Sequence, residues 1–230
     1  MIKAVFFDFF NTLVYFDPPR EKHYADTAAE FGIRISPEAI AAVLPEADAW
    51  WRSENSRSPI KDREQVAKFD AYRGYGLRIL KNAETAASPD QALQMLAKAF
   101  SVGFHFKNFG DSLPALQALK GKNMQMGIIS NIGEQIDSYL DTAGFSVYFT
   151  YNVTSLEAGY DKPQPQIFQL ALQKAGVSAA ETLFVGDQYD LDAVGARNAG
   201  ITPILIIRDG AGNGYDCIVI KDLSQVIDYL

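Results

Sequence analysis

The chain has 230 residues, of which 48% are hydrophobic and 21% charged. These values are typical of a folded globular protein and exclude a disordered, collagen-like or coiled-coil chain. The length corresponds to about one and a half domains of roughly 150 residues. Lys and Arg number 21 against 28 Asp and Glu, a net charge of -7, so the average field repels polyanions and we expect no nucleic-acid partner.

Four short, continuous apolar runs predict buried strands of a parallel sheet. Helical patterns follow these strands, and several end at a glycine, as helices commonly do. An alternation of strands and helices predicts a doubly wound α/β core with three layers, in which helices cover both faces of the sheet. The predicted strands span residues 4–7, 126–129, 183–185 and 203–207, and the helices span residues 112–120, 134–143, 165–175 and 191–199.

The alternation breaks between residues 15 and 107, where the sequence predicts helices but no convincing strand. The predicted helices span residues 21–31, 37–51, 63–80 and 89–100, and the polar stretch 53–63 predicts a loop. The simplest account is a helical domain inserted after the first strand. Residues 1–14 and 108–230 would then form a discontinuous α/β core, and residues 15–107 the inserted domain.

Cysteine content and apolar run length indicate a cytoplasmic protein without a membrane span. Cys217 is the only cysteine, which excludes an internal disulfide, and its apolar neighbours predict a small core residue. The N-terminal apolar stretch is too short for a secretory signal, and no apolar run reaches the roughly 18 residues of a membrane helix. We expect no membrane partner, and the sequence leaves a monomer or a homodimer open.

Polar residues follow the predicted strands at the edge of the sheet where open α/β folds bind ligands. Asp8 follows the first strand, Ser130 and Asn131 follow the second, and Asp187 follows the third. A carboxylate at the end of a buried strand is costly unless it is paired or binds a cation. Two carboxylates at one sheet edge therefore predict a shared cation, and oxygen ligands suit Mg²⁺ best.

Three further residues extend this predicted site. Asp190 and Asp192 lie in the turn after the third strand, where they are candidates for holding the metal or its waters. Lys162 is a cation in a turn that two nearby prolines stiffen. Carboxylates, a hydroxyl, a lysine and a metal together predict phosphoryl chemistry on a small-molecule substrate, either a phosphate ester or another small anion.

Four motifs, in this order, resemble those of the haloacid dehalogenase superfamily of hydrolases. The resemblance spans the whole chain, and it implies a Rossmann-like hydrolase core. It also identifies the helical insertion with the family's cap domain. The motifs are Asp8-Phe9-Phe10-Asn11-Thr12, Ser130-Asn131, Lys162-Pro163 with Ile167-Phe168, and Gly186-Asp187 through Asp192 to Gly195-Ala196.

The resemblance also implies roles for individual residues. By matching position, Asp8 is the nucleophile that attacks phosphorus and forms an aspartyl-phosphate, which divides one difficult displacement into two easier ones. Ser130 and Lys162 are expected to bind the transferring group. Thr12 and Asn131 are expected to contact the substrate.

The expected metal ligands are Asp8, Asp187 and the backbone carbonyl of Phe10, with Asp192 supporting the metal shell. The side chain of Phe10 departs from the family's phosphatases, which carry a second aspartate at this position to protonate the leaving group and activate water. Such a group contributes about 10² to 10⁴ in rate. A phosphatase with Phe10 would therefore be slow on alkyl phosphates and less affected on aryl or acyl phosphates.

Two other interpretations of Phe10 remain open. The family's 2-haloacid dehalogenases place an aromatic residue there and form an ester on the aspartate that matches Asp8, but they require no metal and usually lack the Gly186-Asp187 pair. In the third interpretation, the aromatic ring plugs the site and leaves a catalytically impaired binding protein. We weight Asp187 more than Phe10 and favour a Mg²⁺-dependent phosphatase of small phosphorylated metabolites.

Overall fold

The computed structural model describes residues 1–132, 136–209 and 214–230. Residues Met1–Tyr15 and Lys107–Leu230 form one compact unit, here called the α/β unit, and Phe16–Phe106 form a second, the helical unit. Within the described ranges, no helix combines the length and apolar character needed to cross a bilayer.

The elements of the first half of the chain are β1 (Ala4–Phe7), β2 (Val14–Phe16), α1 (Arg20–Glu30), α2 (Pro37–Ala41), α3 (Leu44–Arg57), α4 (Gln65–Ile79), α5 (Pro89–Val102) and β3 (Phe106–Asn108). The elements that follow are α6 (Ser112–Gly121), β4 (Gln125–Ser130), α7 (Asp137–Ala143), β5 (Val153–Thr154), α8 (Ser155–Ala158), α9 (Pro165–Ala175), β6 (Thr182–Gly186), α10 (Val194–Asn198), β7 (Thr202–Ile206) and β8 (Ile218–Ile220). A π-helical turn at Tyr189–Ala193 precedes α10.

The α/β unit is built on a six-stranded sheet of order β5-β4-β1-β6-β7-β8, and β2 pairs with β3 in a separate two-stranded sheet. Every pairing in the larger sheet is parallel. The predicted α/β class with a parallel, Rossmann-like sheet is therefore confirmed. In this order, β1 lies between β4 and β6, so the chain leaves all three strands at neighbouring points of one edge.

Strand β1 is a continuous apolar run because both of its faces are covered. Its four residues have no exposed surface, as expected for an inner strand of a parallel sheet. On the next strand, Gly127 accommodates this packing, since a Cβ there would overlap the ring of Phe6 and the carbonyl of Tyr151. This tight packing fixes the position of β1 in the sheet, and Asp8 directly follows its last residue.

All four predicted strands are present, with ends shifted by a residue or so. Four strands are additional: β5 and β8 at the edges of the larger sheet, and the paired β2 and β3, which overlap the ends of the region predicted to have no strand. Strands β5 and β8 have two and three residues, too few to stand out as apolar runs. Cys217 comes directly before β8 and is half-buried, so its predicted place in the core is wrong. The predicted start of a helix at residue 134 lies outside the described residues, and α7 is described from Asp137.

The helical unit has its own apolar core, formed by one face of each of α1 to α5. The single helix predicted over residues 37–51 is wrong, because α2 ends at Ala41 and α3 begins at Leu44. Pro45 explains the break, since its ring has no N–H and clashes with the carbonyl four residues earlier. Helix α3 continues to Arg57, so much of the loop predicted over residues 53–63 is helical.

Candidate active site

The site begins with the loop that follows β1, here called the Asp8 loop (residues 8–14). Asp8 is 6% exposed and its backbone N–H donates to the carbonyl of Val185 on β6 at 2.8 Å. The loop then turns sharply, with Asn11 at a φ of 61°. The turn reverses the direction of the backbone, and the N–H of Asn11 donates to the carbonyl of Val14 at 2.6 Å.

The turn places a hydroxyl beside the carboxylate. Thr12 is fully buried, and its Oγ1 lies 3.4 Å from Oδ2 of Asp8 as a donor. A bond of this length is near the outer limit of hydrogen bonding, so a small displacement of the loop decides whether it exists. Asp8 and Thr12, predicted together from one motif, are thus in contact.

Lys162 lies at the centre of the site. Its side chain is 3% exposed, and Nζ is 2.6 Å from Oδ1 of Asp8 and 2.6 Å from Oδ1 of Asp192. Asn131 positions it, because the amide Oδ1 accepts from the backbone N–H of Lys162 at 2.7 Å and Nδ2 donates to its carbonyl at 3.1 Å. Lys162, predicted to bind the transferring group, and Asn131, predicted to contact the substrate, are therefore bonded to each other.

Asp192 reaches the site through the π-helical turn, a type of helix defect that often marks functional sites. Its carboxylate is 2% exposed and its Oδ2 accepts from the backbone N–H of Gln188 at 2.9 Å. Gly186 makes room for this carboxylate, since a Cβ at that position would overlap it. The glycine of the fourth motif is thus explained by the close approach of an aspartate to the backbone.

Asp187 completes a cluster of acidic side chains. Oxygen atoms of Asp8, Asp187 and Asp192 all lie within 4.8 Å of one another. Oδ1 of Asp187 is buried and has no hydrogen-bond partner among the described residues. A buried carboxylate oxygen without a partner is costly, so the cluster contains a place that a cation would satisfy.

Burial and mutual repulsion change the acidity of these groups. Burial raises the pKa of Asp8 to about 6, with Asp192 adding to the rise and Lys162 opposing it. Burial, together with Asp8 and Asp192, raises the pKa of Asp187 well above its usual value. Burial alone would lower the pKa of Lys162, but Asp192 and Asp8 outweigh it and the pKa is raised. Lys162 therefore stays charged, and its single ammonium group cannot neutralise all three carboxyl groups when they ionise.

Phe10 lies in an aromatic cluster with Phe9 and Tyr139. The Phe10 ring meets Phe9 edge to face at 5.1 Å between centroids, and it meets Tyr139 in the same way at 5.7 Å. Tyr139 also contacts Phe9, at 6.2 Å. The side chain that stands in the place of an acid is thus packed among aromatic rings.

Five of the predicted site residues are connected to Lys162 directly or through Asp8. Asp8, Asn131 and Asp192 contact Lys162, Thr12 contacts Asp8, and Asp187 lies in the acidic cluster. Ser130 is the last residue of β4, next to β1, and is 3% exposed. Asp190, also considered, is exposed. Sequence reasoning missed Tyr139, whose helix carries no motif, and Gln188, which contributes only its backbone N–H. Neither has a sequence signal that would have marked it.

Proteins with related sequences match parts of this chain. It is 31% identical over 122 residues to "Haloacid dehalogenase-like hydrolase domain-containing protein 3" of Danio rerio, a match that covers 53% of this chain and 50% of that protein. It is 36% identical over 132 residues to "Glyceraldehyde 3-phosphate phosphatase" of Methanothermobacter thermautotrophicus, covering 53% of this chain and 58% of that protein. These matches span little more than half the length of either relative.

Solved structures share the fold over nearly the whole chain. A predicted phosphoglycolate phosphatase from Haemophilus somnus superposes with a TM-score of 0.70 at 16% identity, covering 99% of this chain and 97% of that one. A 2-haloacid dehalogenase from Pseudomonas syringae gives a TM-score of 0.62 at 23% identity, with the same coverage. A family model of the haloacid dehalogenase-like hydrolases matches residues 2–200. The chain is therefore a member of the haloacid dehalogenase-like hydrolases.

Proposed function

We propose that this hydrolase is a Mg²⁺-dependent phosphatase of small phosphorylated metabolites that acts through an aspartyl-phosphate on Asp8. One observation carries the proposal: oxygen atoms of Asp8, Asp187 and Asp192 lie within 4.8 Å of one another, Lys162 pairs with Asp8 and Asp192, and the buried Oδ1 of Asp187 has no partner among the described residues. The phosphatase name of a relative 36% identical over 132 residues supports the same reaction class.

The donor set fits a hard cation. Carboxylate and carbonyl oxygens are the ligands that Mg²⁺ prefers, and Asp8, Asp187 and the carbonyl of Phe10 would hold the ion, with Asp192 supporting the shell. When bound, Mg²⁺ would offset the negative charge of the site and stabilise charge on the transferring phosphoryl oxygens. Without a cation, the excess of carboxylates would repel any phosphate dianion.

The chain's own residues supply the remaining steps. A carboxylate oxygen of Asp8 bonds to phosphorus as the bond from phosphorus to the leaving oxygen breaks, and the leaving group takes a proton from water. Water then attacks the same phosphorus, the bond to Asp8 breaks, and inorganic phosphate leaves. The proton that the attacking water loses passes to solvent, where it neutralises any hydroxide formed in the first step. Lys162 and Ser130 bind the phosphoryl oxygens, while Thr12 contacts the carboxylate and Asn131 holds the backbone of Lys162.

Phe10 restricts the substrates that this site turns over well. In the Asp8 loop, the position that an acid would occupy is an aromatic ring packed on Phe9 and Tyr139. A leaving group that needs no protonation, such as an acyl or aryl oxygen, loses least from this replacement. We therefore infer a preference for acyl and aryl phosphates over alkyl phosphates.

The direct test measures release from acetyl phosphate and p-nitrophenyl phosphate with and without Mg²⁺. Wild-type protein should turn both over only with Mg²⁺, and Asp8→Asn should lose at least about a thousandfold in kcat. Asp26→Asn is the matched control, because Asp26 is an exposed partner of Lys22 and its loss should leave turnover unchanged. Turnover no higher than that of Asp8→Asn would overturn the proposal.

Phe10→Asp tests the role of the aromatic ring. Restoring a carboxyl group should raise kcat on an alkyl phosphate such as glycerol 3-phosphate by at least about tenfold, less than the roughly 10² to 10⁴ that a fully positioned acid/base group contributes. Phe10→Asn is the control, since it removes the same ring contacts without supplying an acid. Equal kcat values for folded Asp and Asn variants would show that another group already transfers the proton.

Packing around Phe10 also favours a second candidate, 2-haloacid dehalogenation. In that reaction a carboxylate oxygen of Asp8 bonds to carbon 2, halide leaves without a proton, and water hydrolyses the resulting ester. An apolar wall suits such a substrate. The readout is halide release from 2-chloropropionate in EDTA, which the phosphatase proposal predicts to be absent. Release that EDTA leaves unchanged would favour the dehalogenase instead.

A further inference from the structure

Arg208, two residues after the end of β7, makes contacts with three different parts of the α/β unit. Its Nη1 donates to Oδ2 of Asp111 at 2.8 Å, and its Nη2 donates to the backbone carbonyl of Thr12 at 2.8 Å. Its guanidinium carbon lies 3.6 Å from the centre of the Phe109 ring. The Arg208 side chain is 20% exposed and that of Asp111 is 11% exposed, so the contacts are mostly shielded from water.

The carbonyl that Arg208 holds belongs to the residue that contacts Asp8. The next carbonyl along, that of Leu13, accepts from Oγ of Ser112 at 2.7 Å and from the N–H of Phe109 at 3.1 Å. The end of the Asp8 loop is therefore fixed from the start of α6 and from Arg208 at once.

The bond from Arg208 to the Thr12 carbonyl bears on Asp8 because the Thr12 side chain contacts the Asp8 carboxylate. The bond from Thr12 Oγ1 to Asp8 Oδ2 measures 3.4 Å, so it is the contact most easily lost if the Thr12 backbone moves. Asp111 in turn keeps Arg208 aimed, because its Oδ2 also accepts from the N–H of Leu223 at 2.8 Å. A chain of direct bonds thus runs from Asp111 through Arg208 and Thr12 to Asp8.

We propose that Arg208 is a positioning residue that sets the Asp8 carboxylate for attack by holding the carbonyl of Thr12. This role rests on the proposed function of Asp8 as nucleophile. The two bonds of Arg208 leave its fork in different directions, toward a carboxylate and toward a carbonyl. Lysine, with a single ammonium group, does not reproduce a planar fork of this kind, so Arg208→Lys keeps the charge while losing the hold on the loop.

The test compares Arg208→Lys with wild type on acetyl phosphate in the presence of Mg²⁺. We expect kcat to fall about tenfold, because small misplacements of reacting groups cost up to about a hundredfold, while KM stays within about twofold. Arg197→Lys is the matched control. Arg197 also bonds a carboxylate and a backbone carbonyl, both of Asp216, and its replacement should leave kcat unchanged.

A double-mutant cycle shows whether Arg208 acts through Thr12. Thr12→Val removes the hydroxyl contact with Asp8 but keeps the carbonyl that Arg208 holds. If the two residues act in one chain, the loss of kcat in the double variant should be no larger than the larger of the two single-variant losses. Losses that multiply would overturn a route through Thr12.

Stability and a second variant separate positioning from folding. Asp111→Asn retains Arg208 and weakens only its anchor, so it should lower kcat by about threefold, in the same direction as Arg208→Lys. A fall in kcat without a matching fall in the thermal unfolding midpoint shows that the loss does not come from unfolding. Wild-type kcat in both folded variants would overturn the positioning role alone. Absence of turnover in the wild type as well would overturn the proposed function, and the positioning role with it.

Discussion

Two charged clusters, a partly buried one in the helical unit and a buried one in the α/β unit, differ in how their charges balance. In the helical unit, Arg20 donates to both carboxylate oxygens of Asp48, at 2.9 and 3.0 Å, and Tyr75 donates to the same carboxylate at 2.6 Å. In the α/β unit, Lys162 pairs with two carboxylates, and a third, Asp187, has a buried oxygen without a partner in the described part of the chain.

The difference is the one we expect between a structural cluster and the proposed metal site. One cation and one anion with shared hydrogen bonds need nothing more to be stable in a protein interior. Three anions around one cation are destabilising unless a further positive charge binds or a carboxyl group stays protonated. This imbalance around Lys162 is the basis of the metal site that we propose, and the following three predictions test the contrast.

Removing the ammonium group from the unbalanced cluster should have the largest effect on stability. We expect Lys162→Met to lower the free energy of unfolding in EDTA at pH 8 by about 3 kcal/mol, because two buried carboxylates lose their partner. Adding Mg²⁺ should restore part of the loss. Urea denaturation gives the values, and Lys22→Met, at an exposed ion pair, should change them by less than about 0.5 kcal/mol. Equal losses in the two variants would contradict the contrast.

Breaking the balanced Arg20–Asp48 cluster should lower the free energy of unfolding by an amount that does not depend on Mg²⁺. Asp48→Asn leaves Arg20 without its counter-ion, and we expect a loss of about 2 kcal/mol, since both side chains are about one-quarter exposed. The same urea experiment with and without Mg²⁺ should give the same loss. Asp26→Asn is the exposed control. A loss that depends on Mg²⁺ would mean that the balanced cluster is not purely structural.

Removing surplus charge should have the smallest effect, and it should stabilise the protein. The pKa of Asp187 is raised by burial and by Asp8 and Asp192, so ionising it costs stability as the pH rises through its folded-state pKa. We expect Asp187→Asn to be more stable than the wild type in EDTA at pH 8, a gain in the free energy of unfolding. The gain should vanish as the pH falls below about 4, the pKa of an unfolded aspartate.

Asp190→Asn provides the control for this gain, because Asp190 is exposed in the same turn. Its free energy of unfolding should match that of wild type at both pH values. A destabilised Asp187→Asn variant in EDTA would show that Asp187 has a favourable partner and would remove the basis for the surplus charge.

The convergence of the site was predictable from sequence because of parallel topology. Asp8 and Asp187 each follow an apolar run that ends a strand, and the carboxyl ends of neighbouring parallel strands share one edge of the sheet. Pro45 also carried a usable signal, since it breaks the helix predicted over residues 37–51. These features depend on local patterns of residues.

Other features depend on contacts that no local pattern encodes. Arg208 and Thr12 are 196 residues apart in sequence, and an arginine after a strand is ordinarily a solvated charge. The π-helical turn that turns Asp192 inward is visible only in the backbone. The short strands β5 and β8 take their structure from pairing with longer neighbours rather than from their own sequence.

Titration of Mg²⁺ by isothermal calorimetry, on wild type and on Asp187→Asn, tests the surplus-charge account most directly. We predict saturable binding of one ion to wild type and an affinity at least about tenfold weaker for Asp187→Asn. The Asp48→Asn variant should bind as the wild type does. Absence of binding to wild type, or equal affinities for wild type and Asp187→Asn, would contradict the assignment of this cluster as the metal site of the enzyme.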